Sequence, residues 1–521
     1  VLVIIGAAVI RGRLLAMPLE RDEGEYAYIA QMMLKGIPPY LSAYSQKLPG
    51  TYAIYAIILA VFGQTCTAIH LGLLIVNAAT IFVIFLLTRR LFGDLAAVIA
   101  GAAYAVMSLI TPVLGLSANA EHFVILPALI GVVLLTRPVE RRGLPAVFIA
   151  ALLFGLAFVI KQHGIFFAVF AALYLLYCDF CCRPVQWKRL IITQFVFASG
   201  AIVPFAITCL LFWRANAFDK FWFWTFTYAV KYVALTPLQL AFEEFLPQFR
   251  PVVNSTIPIW LFALLGLFRI LFTNHLRKHL PFIIGLLIFS FLCVCPGFYF
   301  RPHYFILFVP AVAVTAGAGF TGFCDWMAGG DSKLRYGFVA VLTGFVVIGY
   351  SLFNQRAYLF DGSPVEVCRR IYWPNPFPES LPIAEFIRVN TQPDDTIAVI
   401  GSEPQIYFYS GRHAATHYIF IYHMMEAHNY AAEMQKKMIQ EIKAARPKFL
   451  VLVNVPTSLL IRKDSIRTIF NWFASYSRDY YKIVGVTVMH PDRQPIYLWD
   501  EQARHYISSV TDYWIAVYER K

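Results

Sequence analysis

Four acids fall within six residues at Glu20-Arg21-Asp22-Glu23-Gly24-Glu25. Asp22 and Glu25 lie three apart, so a helix would set them on one face. Carboxylates this crowded have three physical explanations. One is a general base whose pKa is set by a neighbouring charge. Another is a divalent cation held by oxygen ligands. The third is an acid-rich helix N-terminus. Asp22, Glu23 and Glu25 are therefore the candidate catalytic residues. The segment continues to Gln46-Lys47-Leu48-Pro49-Gly50. The Lys47 ammonium could pair with a phosphate or reach to a membrane interface.

Three further turns hold ionisable groups. Asn119-Ala120-Glu121-His122 lies where two apolar runs meet, and an ionisable pair there is a functional candidate by default. The competing reading is a helix start favoured by the helix dipole. Lys161-Gln162-His163-Gly164 separates two short runs, and Arg301, His303 and Tyr304 follow Cys295. Glu121, His122, Lys161, His163, Arg301, His303 and Tyr304 join Lys47 as candidate substrate-binding residues. Asp22, Glu121 and His122 are the candidates for a divalent cation. Carboxylates and cations on one face suit an anionic lipid substrate, with cations on phosphate and a carboxylate activating a hydroxyl. Each basic residue alone also reads as an interface anchor.

Composition says what positions these groups. The 521 residues are 59% hydrophobic and 14% charged, against about 25% charged in soluble domains. Mean hydropathy is +0.63. This excludes a disordered chain, a collagen-like chain and an ordinary cytosolic enzyme. Nine cysteines make no disulfide framework. The net charge of +13 fits positive charge on one membrane face better than nucleic-acid binding.

Apolar runs long enough to span a bilayer occur at about 1–17, 68–88, 95–113, 121–136, 144–161, 163–178, 190–213, 253–272, 280–296, 303–323 and 336–354. This gives about eleven transmembrane helices, up to 13, the first an uncleaved span. Residues 51–63 read as a re-entrant or interfacial helix. The basic loops at Arg89-Arg90, Arg137 to Arg142, Arg183 to Arg189, Arg277-Lys278 and Lys333 to Arg335 all fall on one side, which makes that side cytoplasmic. The acidic loop 17–50 and the other candidate turns fall outside. An aromatic stretch with Trp213, Trp222, Trp224, Tyr228 and Tyr232 reads as an interface belt or as a grip on sugar or polyprenyl, and 238–249 as an amphipathic surface helix.

Composition changes at about Asn354. Strands are expected at 396–400, 449–453, 483–488 and 496–499, and amphipathic helices at 381–389, 431–445 and 465–476. The fold class is thus a polytopic α-helical membrane protein, 1–354, with a C-terminal extracytoplasmic α/β domain, 355–521. Cys178, Cys181 and Cys182 form a juxtamembrane cluster with no second ligand pair for zinc. There is no P-loop or dinucleotide glycine motif.

The pattern Asp22-Glu23-Gly24-Glu25-Tyr26-Ala27-Tyr28, then Gly36, then Lys47-Leu48-Pro49-Gly50, resembles the first loop of C-type glycosyltransferases. Within them it is similar to the protein O-mannosyltransferase and lipid A aminoarabinose transferase branch. Arg89-Arg90-Leu91-Phe92-Gly93, Ala120-Glu121-His122-Phe123 and Arg301-Pro302-His303-Tyr304-Phe305 add to the resemblance. It implies inverting transfer from a polyprenyl-phosphate sugar to an acceptor hydroxyl on a glycan, lipid or protein, at a bacterial inner membrane. Asp22 matches the family's catalytic Asp, and Lys47 would bind the lipid phosphate. A Glu-Lys pair of the aminoarabinose branch reads Gln46-Lys47 here, which weakens a metal role at that position. No nucleic-acid partner is implied, and the only cofactor candidate is a divalent cation. The competing readings are a lipid-linked-sugar transporter or flippase, an oligosaccharide polymerase or ligase on a similar scaffold, and a scaffold that has lost activity. A transporter places ionisable groups near the midplane, whereas these cluster at one face.

Overall fold

Each apolar run becomes a helix in the computed structural model, which describes residues 1–136, 143–233, 237–329, 333–505 and 513–521. The chain begins with α1 (Leu2–Arg13), α2 (Arg21–Leu34), α3 (Gly50–Phe62), α4 (Cys66–Phe92) and α5 (Asp94–Met107). It continues through α6 (Ala120–Leu135), α7 (Leu144–Ile160), α8 (Ile165–Cys181) and α9 (Trp187–Arg214). Short aromatic turns α10 (Phe218–Trp222) and α11 (Ala229–Val233) lead to α12 (Ala241–Ser255). Then come α13 (Ile257–Phe272), α14 (Leu280–Leu292), α15 (Val309–Ala328) and α16 (Lys333–Asn354). Setting aside α2, α3 and α10–α12, the apolar helices follow the runs expected from the sequence. Among the described residues, four stretches are long and apolar enough to cross a bilayer unaided: Cys66–Phe92, Gln162–Cys181, Trp187–Arg214 and Leu334–Asn354. Of the basic loops, Arg137, Arg141, Arg142 and the Lys333 side chain lie outside the described residues, as does the Tyr232 side chain.

Small residues let these helices close on one another. A Cβ on Gly266 of α13 would lie 2.0 Å from the Thr315 carbonyl oxygen of α15, so only glycine permits this crossing. The helix ends also sort into two poles. At one, Arg90 donates to the Val133 carbonyl beyond α4, Phe92 meets the His279 ring at 5.6 Å, and Arg269 pairs with Asp325 at 2.6 Å. At the other, Arg11 donates to the Gly115 and Ser108 carbonyls, and Arg13 to those of Leu359 and Gly362.

Several helix ends differ from the sequence reading by four to six residues, as where the run 95–113 is helical only to Met107, and two helix starts differ in a way that shapes the site. The amphipathic stretch Leu238–Ser255 meets Ile257–Phe272 at 95°, so the membrane helix starts at Ile257, beside Pro258, rather than at 253. The run beginning at 303 opens as a 3-10 turn, Pro302–Leu307, and becomes α-helical only at Val309, with Pro310 in its first turn. This keeps His303 and Tyr304 in the 3-10 turn, with Arg301 just before it, at the mouth of the bundle.

After α16 a linker reaches a six-stranded sheet of order β2-β1-β3-β6-β4-β5. Its strands are β1 (Thr396–Ile400), β2 (His413–Ala414), β3 (Phe449–Asn454), β4 (Tyr481–Met489), β5 (Ile496–Trp499) and β6 (Tyr513–Arg520). β1 runs parallel to β2 and β3, and the other pairings are antiparallel. Helices Ser380–Val389, Ala431–Ala445 and Thr468–Tyr480 fall where amphipathic patterns were expected. β6 is a central strand that the sequence reading did not include. Its buried Ile515-Ala516-Val517 is only three residues long, and its end, Glu519-Arg520, is charged, with Glu519 taken by Lys482 at 3.0 Å.

Candidate active site

The acidic cluster resolves into residues with different work. Glu20 caps α2: its carboxylate accepts from the Asp22 and Glu23 amides, and Glu23 answers by accepting from the Glu20 amide. Glu23 turns away from solvent. Its Oε1 accepts from the Ala118 amide at 2.6 Å and from His70 Nε2 at 2.9 Å. His70 Nδ1 faces the Leu15 carbonyl at 2.9 Å. Both His70 ring nitrogens thus face oxygen atoms, one of them on the Glu23 carboxyl. Glu23 thus knits α1, α2, α4 and the turn before α6 together.

Asp22 and Glu25 share the other face of α2. Lys47 Nζ lies 2.9 Å from Asp22 Oδ1 and 2.8 Å from Glu25 Oε2, over the Tyr26 ring at 4.5 Å. The Tyr40 hydroxyl donates to the Lys47 carbonyl at 2.6 Å, which fixes the loop that carries the ammonium. Burial opposes ionisation of Asp22, yet Lys47 with His303 and Lys161 nearby hold its carboxyl well below the usual range. Glu25 moves the other way, because burial and the Asp22 charge outweigh Lys47. Lys47 itself is raised, its burial overcome by the Asp22 and Glu25 carboxylates.

A second cluster stands behind the first. Glu121, fully buried at the start of α6, forms an ion pair with Lys161, and His303 Nε2 is 3.9 Å from the same oxygen. Lys161 sits over the Tyr304 ring at 4.3 Å, and His163 and His303 meet that ring edge-on. Burial pushes His303 down to about 4 despite Glu121, so its ring is neutral at pH 7. His122 is buried on α6, and neither ring nitrogen has a partner among the described residues. Glu121, His122, Lys161 and His163 do not line the cavity described next, whereas His303 and Tyr304 do. Among the described residues no three His, Cys, Asp or Glu side chains are gathered to hold a metal ion.

A cavity of about 390 Å³ opens beside Asp22. Its bundle side presents Asp22, Glu25, Lys47, Arg301 and His303, and its tail side Phe420, Tyr422, His423 and Glu426. The sequence reading assigned no role to that second wall. The only signal was the aromatic and histidine content of 416–430, in a stretch without helix or strand periodicity. Arg21 fastens the wall down. Its guanidinium pairs with Glu403 at 2.8 Å, donates to the Ser402 carbonyl and Asn375, and sits over the Phe377 and Tyr422 rings. The tail also meets α2 through the Ala414 amide, which donates to the Tyr28 hydroxyl at 2.9 Å. The Tyr44 ring stacks on both Trp224 and His417. So Trp224 and Tyr228 of the aromatic stretch are buried against the tail, whereas Trp213 and Trp222 are exposed as an interface belt requires.

Residues 46–213 match the family model of dolichyl-phosphate-mannose-protein mannosyltransferases. No curated protein resembles the chain closely enough to count as a match. Among solved structures, ArnT from Cupriavidus metallidurans bound to undecaprenyl phosphate superposes with a TM-score of 0.57 at 14% identity, over 99% of this chain and 97% of that one. The archaeal oligosaccharyltransferase AglB from Archaeoglobus fulgidus, in complex with an inhibitory peptide and a dolichol-phosphate, superposes with a TM-score of 0.54 at 13% identity, over 98% of this chain and 75% of that one. The chain therefore has the fold of the C-type glycosyltransferases, and it is a multi-pass membrane protein. The resemblance read from the first loop is met by both the family model and the fold.

Proposed function

We propose that this protein is a membrane glycosyltransferase that moves a sugar from a polyprenyl-phosphate donor to an acceptor hydroxyl, with inversion at the anomeric carbon. The observation that carries the reading is Lys47 bridging Asp22 and Glu25 at the mouth of a cavity in this fold. Residues 1–354 form the membrane domain, with about eleven spans, and 355–521 an extracytoplasmic domain. The cavity faces away from the basic loops, so donor and acceptor meet outside the plasma membrane.

Asp22 is the general base. It accepts the acceptor hydroxyl proton as that oxygen bonds to the anomeric carbon and the bond from that carbon to the phosphate oxygen breaks. The phosphate leaves with the electron pair. Lys47 and Arg301 meet its charge at the cavity wall, and neutral His303 serves as a hydrogen-bonding partner rather than a cation. An ammonium shared between carboxylates would turn to an arriving phosphate. That frees Asp22 of its tightest counterion when a stronger base is needed. Glu121 and Lys161 act behind this layer, holding Tyr304 and His303.

Reconstituted protein offered radiolabelled polyprenyl-phosphate sugars and cell-envelope acceptors tests this. Asp22→Asn should bind donor as wild type does and transfer about 10²–10⁴-fold more slowly. Equal transfer in both removes Asp22 as the base. Transport of the lipid-linked sugar across the bilayer without transfer would favour the flippase reading.

A further inference from the structure

The tail wall of the cavity holds one carboxylate that the transfer chemistry leaves unused. Glu426 follows the short turn Tyr422–Met425 in extended backbone, with φ −87° and ψ 148°. It is 6% exposed and lines the cavity. Its Oε1 lies 3.5 Å from Arg462, a long contact to a half-exposed side chain, and the Tyr228 hydroxyl bears on the same carboxylate. Its Oε2 is buried and has no hydrogen-bond partner among the described residues. A buried carboxylate oxygen with nothing to accept from is costly, so a ligand group that donates to it would be gripped strongly.

The surroundings say which group that is. Phe420 and Leu460 give the tail wall apolar surface beside Glu426, and apolar walls with a few placed polar atoms are the general form of a small-molecule site. Arg301, assigned above to the carrier phosphate, is close enough to Glu426 to weigh on its ionisation. The sugar attached to that phosphate is thus the group within reach. A sugar ring offers hydroxyl donors at its edge and C–H surface on its faces. Burial lifts the Glu426 carboxyl to about 7 against the pull of Arg462 and Arg301. In either protonation state the group retains acceptor capacity.

We propose that Glu426 is a sugar-binding residue of the donor site, with Oε2 accepting a hydrogen bond from a ring hydroxyl. The extracytoplasmic domain then takes part in choosing the sugar rather than merely covering the site. This rests on the donor reading given above.

The test is binding to the full chain in nanodiscs, which needs no acceptor. The probes are bare polyprenyl phosphate and the same lipid carrying mannose, glucose, N-acetylglucosamine or aminoarabinose. Wild type should hold at least one sugar-bearing probe about tenfold or more tighter than bare carrier. Glu426→Ala should lose that gain and keep its affinity for bare carrier, while Arg462→Ala keeps both. If Glu426→Ala melts early, Glu426→Gln decides, with at least a threefold loss of the gain expected. Three results overturn the proposal: a gain that survives in the Glu426 variants, an equal loss in Arg462→Ala, and a wild type that binds bare carrier with no gain from any sugar. A wild type that binds neither bare nor sugar-bearing lipid overturns the donor reading itself, and this proposal with it.

Discussion

Two carboxylates share one ammonium at 2.9 and 2.8 Å, and the environment does not treat them alike. Asp22, a quarter exposed, keeps its charge because the Lys47 ammonium, with Lys161 further off, outweighs burial. Glu25, almost wholly enclosed, is raised by burial and by Asp22 itself. Pairs of acids with pKa values pushed apart are how one site separates a charged role from a neutral one. The sign of a pH effect follows. A base must be ionised, and a lowered Asp22 pKa keeps it ionised through pH 5, so kcat/KM should show no acidic fall between pH 5 and 8. Lys47→Met removes the largest lowering influence and leaves burial, so the Asp22 pKa rises. Its kcat/KM at pH 5 should then fall well below its own value at pH 8. A pH profile as flat in Lys47→Met as in wild type would remove Lys47 as the group that keeps Asp22 charged.

At the scale of elements, α2 is held between the bundle and the tail, and at Gly24 the two backbones come close. A Cβ there would stand 2.7 Å from the backbone nitrogen of Gln405. Gly24→Ala must therefore push helix Gln405–Ser410 away, at a cost of about 1–3 kcal/mol for such overpacking. Proteolysis after Arg369 and Arg370 in the linker should accelerate and transfer should drop. Gly12→Ala meets nothing within 4 Å and serves as the control, expected to leave both unchanged. The contact also shows where sequence reading stops. Helices of the bundle were legible because apolar runs are local, and Asp22, Glu25 and Lys47 because acids three apart and a lysine before an apolar helix form a local pattern. Glu426, Tyr422 and Arg21 were not, because their work depends on a tail folded back across about 400 residues of chain. β6 escaped for a related reason: its charged end is stabilised by a partner, Lys482, that no window around it contains.

For the whole molecule, the basic loops and the cavity lie at different poles. Arg90, Arg269 and His279 gather at one, with the exposed Cys181 ending the helix that leads to Arg183 and Lys188. The cavity and the sheet lie at the other. Short loops rich in arginine and lysine stay in the cytoplasm as a rule, so the proposed insertion puts the cavity outside. Separation of the poles also bears on chemistry. On the proposed function, a donor whose tail lies in the bilayer brings its phosphate to Lys47 from the membrane, while the acceptor approaches under the tail domain from water. The orientation is testable without activity. In a Cys181→Ser chain carrying Asp464→Cys on the exposed tail surface, a membrane-impermeant thiol reagent added to intact spheroplasts should label the new cysteine above the native background. In the unaltered chain, Cys181 should react only after the membrane is opened. Labelling of Cys181 in sealed spheroplasts would turn the molecule over and put the cavity in the cytoplasm, where the donor sugar would have to be met on the other leaflet.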